Sequence, residues 1–375
     1  MRESAEDNEA VHAPAPEPVG HASASRNGSP RKGQKRQRLI AGLRGYFLAP
    51  VIATLGECGI ADRMLQGPFS IADFEPLAET SILSMLFRYL QSVGLLVSEG
   101  ESRYALTEDG FTSLSRNGAY SLLVSYADYF DRLPGLLAGA PVNPSVNRSR
   151  NVRGSGHLHG KKYFPIALEC LQSSAPAALI DIGCGDGAFL ECVCARWPAL
   201  VPFGLDLSET AVEIARRRLA RQTGSEPLII AANACDVSSW SAAVPPALRD
   251  SGRLVISMWF VGHEFSANST KVMVRFFQDL HRCFPVARIL LGEINKIAPA
   301  DLAGNHELSI MPEYLLFHEL SGQGVLAWTD WQHILQQIPY WLEKECRFDE
   351  VASASGSAIP ASFLWLLAPS PQPAS

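Results

Sequence analysis

Two carboxylates and three glycines in one short stretch have the types and spacing of a nucleotide-cofactor site. Asp181 lies in an apolar segment that predicts a buried strand, and Gly183, Gly185 and Gly187 follow it at alternate positions. Glycines with this spacing let the backbone turn sharply and approach a ligand closely. A helix and a second apolar strand come next, and Asp206 ends that strand, where a carboxylate can bind both hydroxyls of a ribose.

The spacing D-I-G-C-G-D-G also separates two classes of cofactor. Dinucleotide sites have a longer gap before their third glycine, so the pattern does not match them. It resembles motif I of the class I S-adenosylmethionine (SAM) methyltransferases. That resemblance implies SAM as cofactor, with Asp206 on the ribose and Asp236 against the adenine amino group. It assigns the cofactor to Asp181, Gly183, Gly185, Gly187, Asp206, Leu207, Asp236, Val237 and Met258.

A histidine and an acid, His263 and Glu264, follow the fourth predicted strand of this region. Ligands of open α/β folds bind at the carboxyl ends of the strands. The site resembles that of the caffeate-type O-methyltransferases, in which a His-acid pair at this point deprotonates a phenol. The resemblance implies that His263 is the catalytic base, because an imidazole titrates near neutral pH. Glu293, at the tip of the fifth strand, is predicted to orient His263 or the acceptor.

His318 indicates a second possible chemistry. The run that begins at His263 resembles the C-methyltransferases of 2-oxo acids, typified by phenylpyruvate C-methyltransferase. The resemblance implies that His263 and His318 hold a divalent or ferric metal ion, which chelates the 2-oxo acid and stabilises its enolate. Phe260 stands where the iron-dependent member has a methionine ligand. Glu264 or Glu319 is an alternative ligand, and a site without metal stays open.

The elements that must position these residues alternate between strand and helix, as a doubly wound sheet requires. We therefore predict an α/β fold with a Rossmann-like, seven-stranded SAM methyltransferase domain. Helices, a helix-turn-helix and a hairpin precede it and resemble the winged-helix dimerisation domain of the caffeate-type enzymes. Pro50 is predicted to break the first helix. The predicted parts are a disordered tail (1–36), a winged-helix dimerisation domain (37–118), linker helices over the substrate pocket (119–170) and the methyltransferase domain (171–375).

Aromatic side chains are the candidates for the acceptor pocket, namely Tyr46, Tyr126, Tyr163 and Trp259. Tyr46 lies on the first long helix, which in dimeric relatives reaches the pocket of the neighbouring subunit. The polar segment 143–156 predicts a mobile loop. Its basic residues, Arg148, Arg150 and Arg153, are candidates for binding an anionic substrate.

Composition limits the partners and the compartment. The chain has 375 residues, a net charge of −6 and eight cysteines without a C-x-x-C pair. A negative charge disfavours nucleic acid as a partner, and unpaired cysteines favour a reducing compartment. We find no signal peptide and expect no apolar run long enough to span a bilayer. These observations predict a cytoplasmic homodimer that binds neither nucleic acid nor membrane.

The sequence thus predicts a SAM-dependent methyltransferase that acts on a small molecule of specialised metabolism. Metal-assisted C-methylation of a 2-oxo acid, or of a similar enolisable acceptor, is the first hypothesis. Three alternatives stay open at this point. They are a histidine-base O-methyltransferase of a phenolic or polyketide natural product, an isoprenoid diphosphate C-methyltransferase, and a non-catalytic SAM-binding winged-helix regulator.

Overall fold

The structure is a computed structural model that describes residues 32–100, 102–223, 227–249, 252–266, 269–302, 310–352, 356 and 358–370. The chain divides into two compact units, Met1–Tyr46 and Phe47–Ser375. Most of the predicted tail, up to residue 31, lies outside the described residues. The other predicted domain boundaries stay predictions.

The elements follow one another with these bounds. The helices are α1 Lys32–Glu57, α2 Ile60–Met64, α3 Thr80–Ser92, α4 Glu108–Ser115, α5 Asn117–Val124, α6 Ala127–Asp131, α7 Leu133–Leu137, α8 Arg148–Lys162, α9 Phe164–Leu171, α10 Ala188–Arg196, α11 Glu209–Thr223, α12 Val237–Ser241, α13 Pro246–Arg249, α14 Gly262–Phe265, α15 Thr270–Cys283, α16 Pro299–Leu302, α17 Met311–Leu320 and α18 Trp328–Leu335, with a 3₁₀ turn at Ile71–Phe74. The strands are β1 Leu96–Ser98, β2 Tyr104–Leu106, β3 Ala178–Ile182, β4 Val201–Asp206, β5 Leu228–Ala231, β6 Leu254–Trp259, β7 Arg288–Ile294, β8 Tyr340–Ala352 and β9 Ala358–Pro369.

The seven-stranded sheet confirms the predicted α/β fold. Its strand order is β5-β4-β3-β6-β7-β9-β8, with β3 to β7 parallel and β9 antiparallel to both of its neighbours. Asp181 pairs with Gly204 on one side and with Ser257 on the other. Because parallel strands end at the same edge, the sheet brings the carboxyl ends of β3, β4, β6 and β7 together.

Apolar side chains cover both faces of this sheet. Leu179 and Leu290 belong to the cluster on one face, whereas Ile180 and Ile289 belong to the cluster on the other. All five residues of β3 are buried, as expected for a central parallel strand that helices cover on both sides. The strand therefore holds Asp181 in a rigid, dry position.

The helices and the hairpin at the N-terminal side follow the predicted order, with one correction. Helix α1 continues through Pro50, although we expected a break there. Proline removes one helical hydrogen-bond donor, and this loss does not end a long helix. The strands β1 and β2 pair antiparallel, with Leu96 opposite Leu106, as the hairpin prediction requires.

The expectation that no apolar run is long enough to span a bilayer was wrong. Among the described residues, the helical stretch Lys35–Glu57 is long and apolar enough to do so by length and composition alone. A single helix of this kind near an N-terminus is weak evidence for a membrane span, because core helices and signal sequences meet the same criterion.

The segment between the predicted domains also differs from the prediction. The apolar stretch 119–137, which lies in the predicted linker helices, is divided among the short helices α5, α6 and α7. The predicted mobile loop at 143–156 is helical from Arg148 onward. Asn147 begins this helix by accepting a hydrogen bond from the Arg150 backbone N–H at 3.1 Å. Glycines let α8 approach α5 closely, since a Cβ at Gly154 would lie 2.6 Å from the Leu122 backbone nitrogen.

Candidate active site

A cavity of about 560 Å³ lies at the carboxyl ends of the parallel strands. This volume is in the range of small-molecule and cofactor sites. Five of the nine predicted cofactor residues line it, namely Asp181, Gly183, Gly185, Asp206 and Leu207. One face of α8 forms the opposite wall. The structure thus brings together the two acids and the first part of the glycine turn.

The glycine turn has the backbone that the sequence spacing predicts. Gly183 and Gly185 have φ angles of 69° and 55°, in the left-handed region that favours glycine. A Cβ at Gly183 would lie 2.7 Å from the Val261 side chain, so no larger residue fits. Asp206 accepts hydrogen bonds from the backbone N–H of Gly185 at 3.0 Å and of Ser208 at 2.8 Å. Asp206 and the turn therefore hold each other in place.

Asp181 is a buried carboxyl group at the floor of the cavity. The Ser257 hydroxyl donates a hydrogen bond to it at 2.6 Å. Burial raises the pKa of Asp181 to about 7, the Ser257 bond lowers it, and the charge of Asp206 raises it further. A carboxyl group in this state gains most from a cationic partner, such as an ammonium group.

The other predicted cofactor residues lie elsewhere in the described structure. Gly187 precedes α10, and Val237 and Met258 are buried in the apolar core. Asp236 is exposed and begins α12 by accepting a hydrogen bond from the Ser239 backbone N–H at 3.2 Å. Among the described residues, these four do not line the cavity.

Asn233 lines the cavity, and the sequence reasoning missed it. It follows the end of β5 by two residues, close to the position that Asp206 has at the end of β4. A polar residue at a strand exit was the available signal. Asn233 is therefore a candidate, beside Asp236, for contact with the base of a bound nucleoside.

His263 and Glu293 form a buried pair at the exits of β6 and β7. The His263 Nδ1 lies 2.9 Å from Glu293 Oε1, and the His263 backbone N–H donates to Oε2 at 3.3 Å. Burial lowers the pKa of His263, but the charge and hydrogen bond of Glu293 outweigh burial and raise it above its ordinary value. A Cβ at Gly262 would lie 2.9 Å from Glu293 Oε2, so glycine there permits this approach.

His318 lies against His263. The two ring centres are 4.7 Å apart, and the rings are nearly perpendicular, at 83°. The Nδ1 of His318 lies 2.7 Å from the backbone carbonyl of Tyr314, which fixes it as the protonated nitrogen. Burial and the charge of His263 lower the pKa of His318 to about 2, so the ring is neutral. Each ring thus bonds through Nδ1, and within the described residues neither Nε2 has a hydrogen-bond partner.

Glu264 connects this pair to the wall of the cavity. Both terminal guanidinium nitrogens of Arg148, Nη1 and Nη2, donate hydrogen bonds to the Glu264 carboxylate, at 3.1 and 3.2 Å. Burial raises the pKa of Glu264, and the charge of His263 and the bonds from Arg148 outweigh burial and lower it. Gln323 hydrogen-bonds Glu264 and accepts a bond from the Tyr126 hydroxyl at 3.3 Å. Gln323 is a second residue that the sequence reasoning missed, because its partners lie far away in the chain.

The three predicted basic residues of α8 divide into two groups. Arg148 lines the cavity. Arg150 pairs with Glu57 at 2.7 Å, and Arg153 donates to the Glu57 backbone carbonyl at 3.0 Å. These contacts connect α8 to the last residue of α1. They leave Arg148 as the member of the three that faces the cavity.

The predicted substrate residues are also divided. Tyr126, Tyr163 and Trp259 are buried, and Trp259 lines the cavity. The hydroxyl groups of Tyr163 and Ser362 are hydrogen-bonded at 2.9 Å. Tyr46 has 75 % of its surface exposed and belongs to the first compact unit. Its predicted role in a neighbouring subunit's pocket stays a prediction.

Comparison with known proteins finds methyltransferases among the sequence relatives of this chain. No protein-family model matches the chain. It is 32 % identical to the 2-ketoarginine methyltransferase of Streptomyces arginensis over 161 residues. The matched segment covers 41 % of this chain and 47 % of the relative. The chain is 27 % identical over 179 residues to the trans-aconitate 2-methyltransferase of Acidovorax sp. strain JS42, covering 48 % of this chain and 57 % of the relative. The chain thus spans about half the length of these curated relatives.

Solved structures support the fold over nearly the whole chain. Human N-acetylserotonin methyltransferase, in complex with SAM, superimposes with a TM-score of 0.55 at 14 % identity, covering 92 % of this chain and 100 % of that one. A structural similarity at an identity of 14 % supports the fold and nothing further. The chain has the fold of the class I SAM-dependent methyltransferases.

Proposed function

We propose that the chain is a SAM-dependent methyltransferase. The support is the cavity. The glycine turn and Asp206 line it where a nucleoside would bind, and Asp181 lines it as a carboxyl group that can bind an ammonium group. Those features match the ribose and the amino group of SAM. The named activities of the sequence relatives are of the same class. SAM brings its own leaving group, so the protein has to supply proximity, orientation and control of the acceptor's protons.

We propose a 2-oxo acid as the acceptor and carbon as the methylated atom. The perpendicular His263–His318 pair carries this proposal, because each Nδ1 is bonded and each Nε2 is left for a shared partner. The sequence relationship to a 2-ketoarginine methyltransferase supports the same acceptor class.

The pair fits a metal ion. Metal-binding histidines usually donate their second N–H to a carboxylate or a backbone carbonyl, as these two do. Two imidazoles that share an ion at about 2.1 Å and an angle of about 90 to 110° have ring centres roughly 4.6 to 5.4 Å apart. The observed separation is 4.7 Å. Within the described residues, no group of three or more His, Cys, Asp or Glu side chains is placed to hold a metal, so the acceptor would complete the ligand set.

A bound ion would supply Lewis-acid stabilisation of the enolate oxygen. The other tasks belong to the chain. Glu293 orients the His263 ring, the Tyr314 carbonyl orients His318, and burial excludes water from both. Arg148 holds Glu264 by hydrogen bonds near His263, and in the proposed site this carboxylate lies next to the acceptor.

Histidine-base O-methylation of a phenol is the second candidate function. The His263–Glu293 pair favours it, because a carboxylate on Nδ1 makes Nε2 a stronger base. This candidate has no need of His318. The two functions therefore differ in what they require of one side chain.

One experiment separates the two functions. Purified protein is incubated with methyl-labelled SAM and with a panel of 2-oxo acids and phenols, before and after dialysis against a chelator. We expect a C-methylated 2-oxo acid, loss of turnover after dialysis, and recovery with added divalent ion. His318→Ala should abolish turnover, whereas His333→Ala, an exposed histidine of α18, should not. Methylation of a phenol that survives both the chelator and His318→Ala would establish the second function instead.

We further propose a cytoplasmic homodimer. The support is the fold shared with methyltransferases that have an N-terminal dimerisation domain. Light scattering after gel filtration should give twice the chain mass of 40.8 kDa. Fractionation of expressing cells should recover the protein without detergent; recovery only from membranes would assign the apolar helix Lys35–Glu57 to a bilayer.

A further inference from the structure

We propose that His159 donates a hydrogen bond to a carboxylate group bound in the cavity. This inference rests on the proposed function and adds a binding residue to the same site. The carboxylate belongs to the amino-acid part of the cofactor or to the 2-oxo acid, and the experiment below separates these two sources.

His159 lies at one end of the α8 face that forms the cavity wall. The lining residues of this helix recur at helical spacing and are Arg148, Asn151, Val152, Ser155, Gly156 and His159. Arg148, at the other end, interacts with the charge of Asp206 and so lies toward the ribose side. Gly185 and Val152 face each other in the middle, where a Cβ on the glycine would be 3.1 Å from Val152. His159 therefore faces the end of the cavity away from the ribose acid.

Aromatic rings fix the imidazole of His159. It stacks on Phe260 with ring centres 4.0 Å apart and meets Tyr163 edge-on at 5.8 Å. Phe260 itself has a φ of 51°, uncommon for a phenylalanine, and its N–H donates to the Gly292 carbonyl at 2.9 Å. Such strain is retained where the surroundings enforce it, often at binding sites. Aromatic contacts thus fix the position of the imidazole ring, and these contacts do not use its two nitrogens.

His159 is 92 % buried, since 8 % of its surface is exposed, and in the described part of the chain no group hydrogen-bonds its imidazole. Buried polar groups are nearly always hydrogen-bonded, and His159 lines the cavity, so its ring nitrogens are available to a molecule bound there. The indole N–H of Trp259, which also packs against Phe260, is buried without a partner among the described residues.

The charges around the cavity indicate what the partner is. Asp181, Asp206 and Glu264 line it and can accept bonds from ammonium or hydroxyl groups. A carboxylate needs donors, and the guanidinium of Arg148 is already bound to Glu264 by two bonds. His159 and the indole N–H of Trp259 are buried donors that remain among the described lining residues, and a buried carboxylate requires such partners. Burial and the charge of His263 lower the pKa of His159 to about 3, so the neutral ring does not repel a sulfonium.

The test uses the full chain with three variants. His159→Phe keeps the stack on Phe260 and removes both nitrogens, and His159→Asn keeps a side-chain N–H. His157→Phe is the matched control, because His157 lies on the same helix, contacts the Ser115 carbonyl at 3.3 Å and does not line this cavity. Circular dichroism and thermal melting check that each variant is folded.

The first arm measures the binding of S-adenosylhomocysteine and of methylthioadenosine, which lacks the carboxylate. If His159 binds the cofactor carboxylate, His159→Phe weakens S-adenosylhomocysteine at least about tenfold and leaves methylthioadenosine unchanged. In the second arm, the KM for 2-ketoarginine or phenylpyruvate, whichever is methylated faster, rises by a similar factor if the acceptor is the source. In either arm His159→Asn should restore part of the loss, and His157→Phe should behave as the wild type.

Three results would overturn the inference. These are unchanged binding and KM in His159→Phe, an equal loss for both nucleosides, or a loss in His159→Asn as large as that in His159→Phe. A wild-type protein that binds neither nucleoside would instead contradict the proposed function.

Discussion

The two parts of the proposed active site are built in different ways. The cofactor side is made by β3, the glycine turn and Asp206, which lie within 29 residues, from 178 to 206. The proposed acceptor side joins Glu264, at the cavity wall, to His263, Glu293 and His318, which come from distant parts of the chain and are not among the described residues that line the cavity. The first side depends on local backbone geometry, and the second depends on packing between elements. Mutations should therefore separate cofactor affinity from turnover.

The largest effect is expected on the acceptor side. His263→Ala should lower kcat by about 10² to 10⁴, the usual contribution of an acid-base residue. The affinity for S-adenosylhomocysteine, measured by calorimetry, should stay within about twofold, because His263 is not among the described residues that line the cofactor cavity. A large loss of affinity would show that the two sides are one unit.

The converse test is Asp206→Ala. It removes the ribose acid and its bonds to the backbone of Gly185 and Ser208. We expect the affinity for S-adenosylhomocysteine to fall about ten- to hundredfold, since hydrogen bonds to charged groups are strong. The KM of the acceptor at saturating SAM should be unchanged. A rise in that KM would contradict the separation.

Glu293→Gln tests orientation without a change of shape. The amide cannot accept both bonds that the carboxylate receives from His263, so the ring loses its fixed position. We expect kcat to fall by about tenfold with the cofactor affinity unchanged. Steady-state kinetics measure the first quantity and calorimetry the second. Wild-type kcat in this variant would remove Glu293 from the site.

Asp181 predicts a pH dependence that belongs to the cofactor side alone. Its pKa of about 7 lies above the ordinary value, so the folded state binds the proton more tightly than the unfolded state. Stability of the cofactor-free protein should fall as pH rises from about 4 to 7, and Asp181→Asn should remove this slope. Affinity for SAM should fall about five- to tenfold from pH 8 to pH 6, because the ammonium needs the ionised carboxyl. A flat pH profile would contradict the assignment.

The smallest effects decide between Asp236 and Asn233 at the base of the nucleoside. Asp236→Ala should cost about 1 kcal/mol of unfolding free energy through loss of the α12 cap. If Asp236 also contacts adenine, as the family resemblance implies, the affinity for SAM falls as well. Asn233→Ala should weaken SAM by about threefold with stability unchanged. Denaturant unfolding and calorimetry measure the two quantities.

Much of the molecule follows from the sequence because its signals are local. The order of strands and helices, the left-handed glycines and the position of Asp206 all depend on neighbours in the chain. The helix at 148–162 was missed because three glycines lower its intrinsic propensity, and tertiary contact with α5 outweighs this effect. That His263 and His318 act together was predicted only because a family resemblance implies it.

The sequence alone determined the α/β sheet, the cofactor edge and which residues stand at the strand exits, because periodicity and glycine spacing act over a few residues. Tertiary structure decided which exits meet: it set His318 perpendicular to His263, buried Glu293 beneath Nδ1 and turned His159 toward the cavity. Those placements depend on packing between elements that are distant in the chain, such as the stack of His159 on Phe260, 101 residues apart, and no local pattern records them.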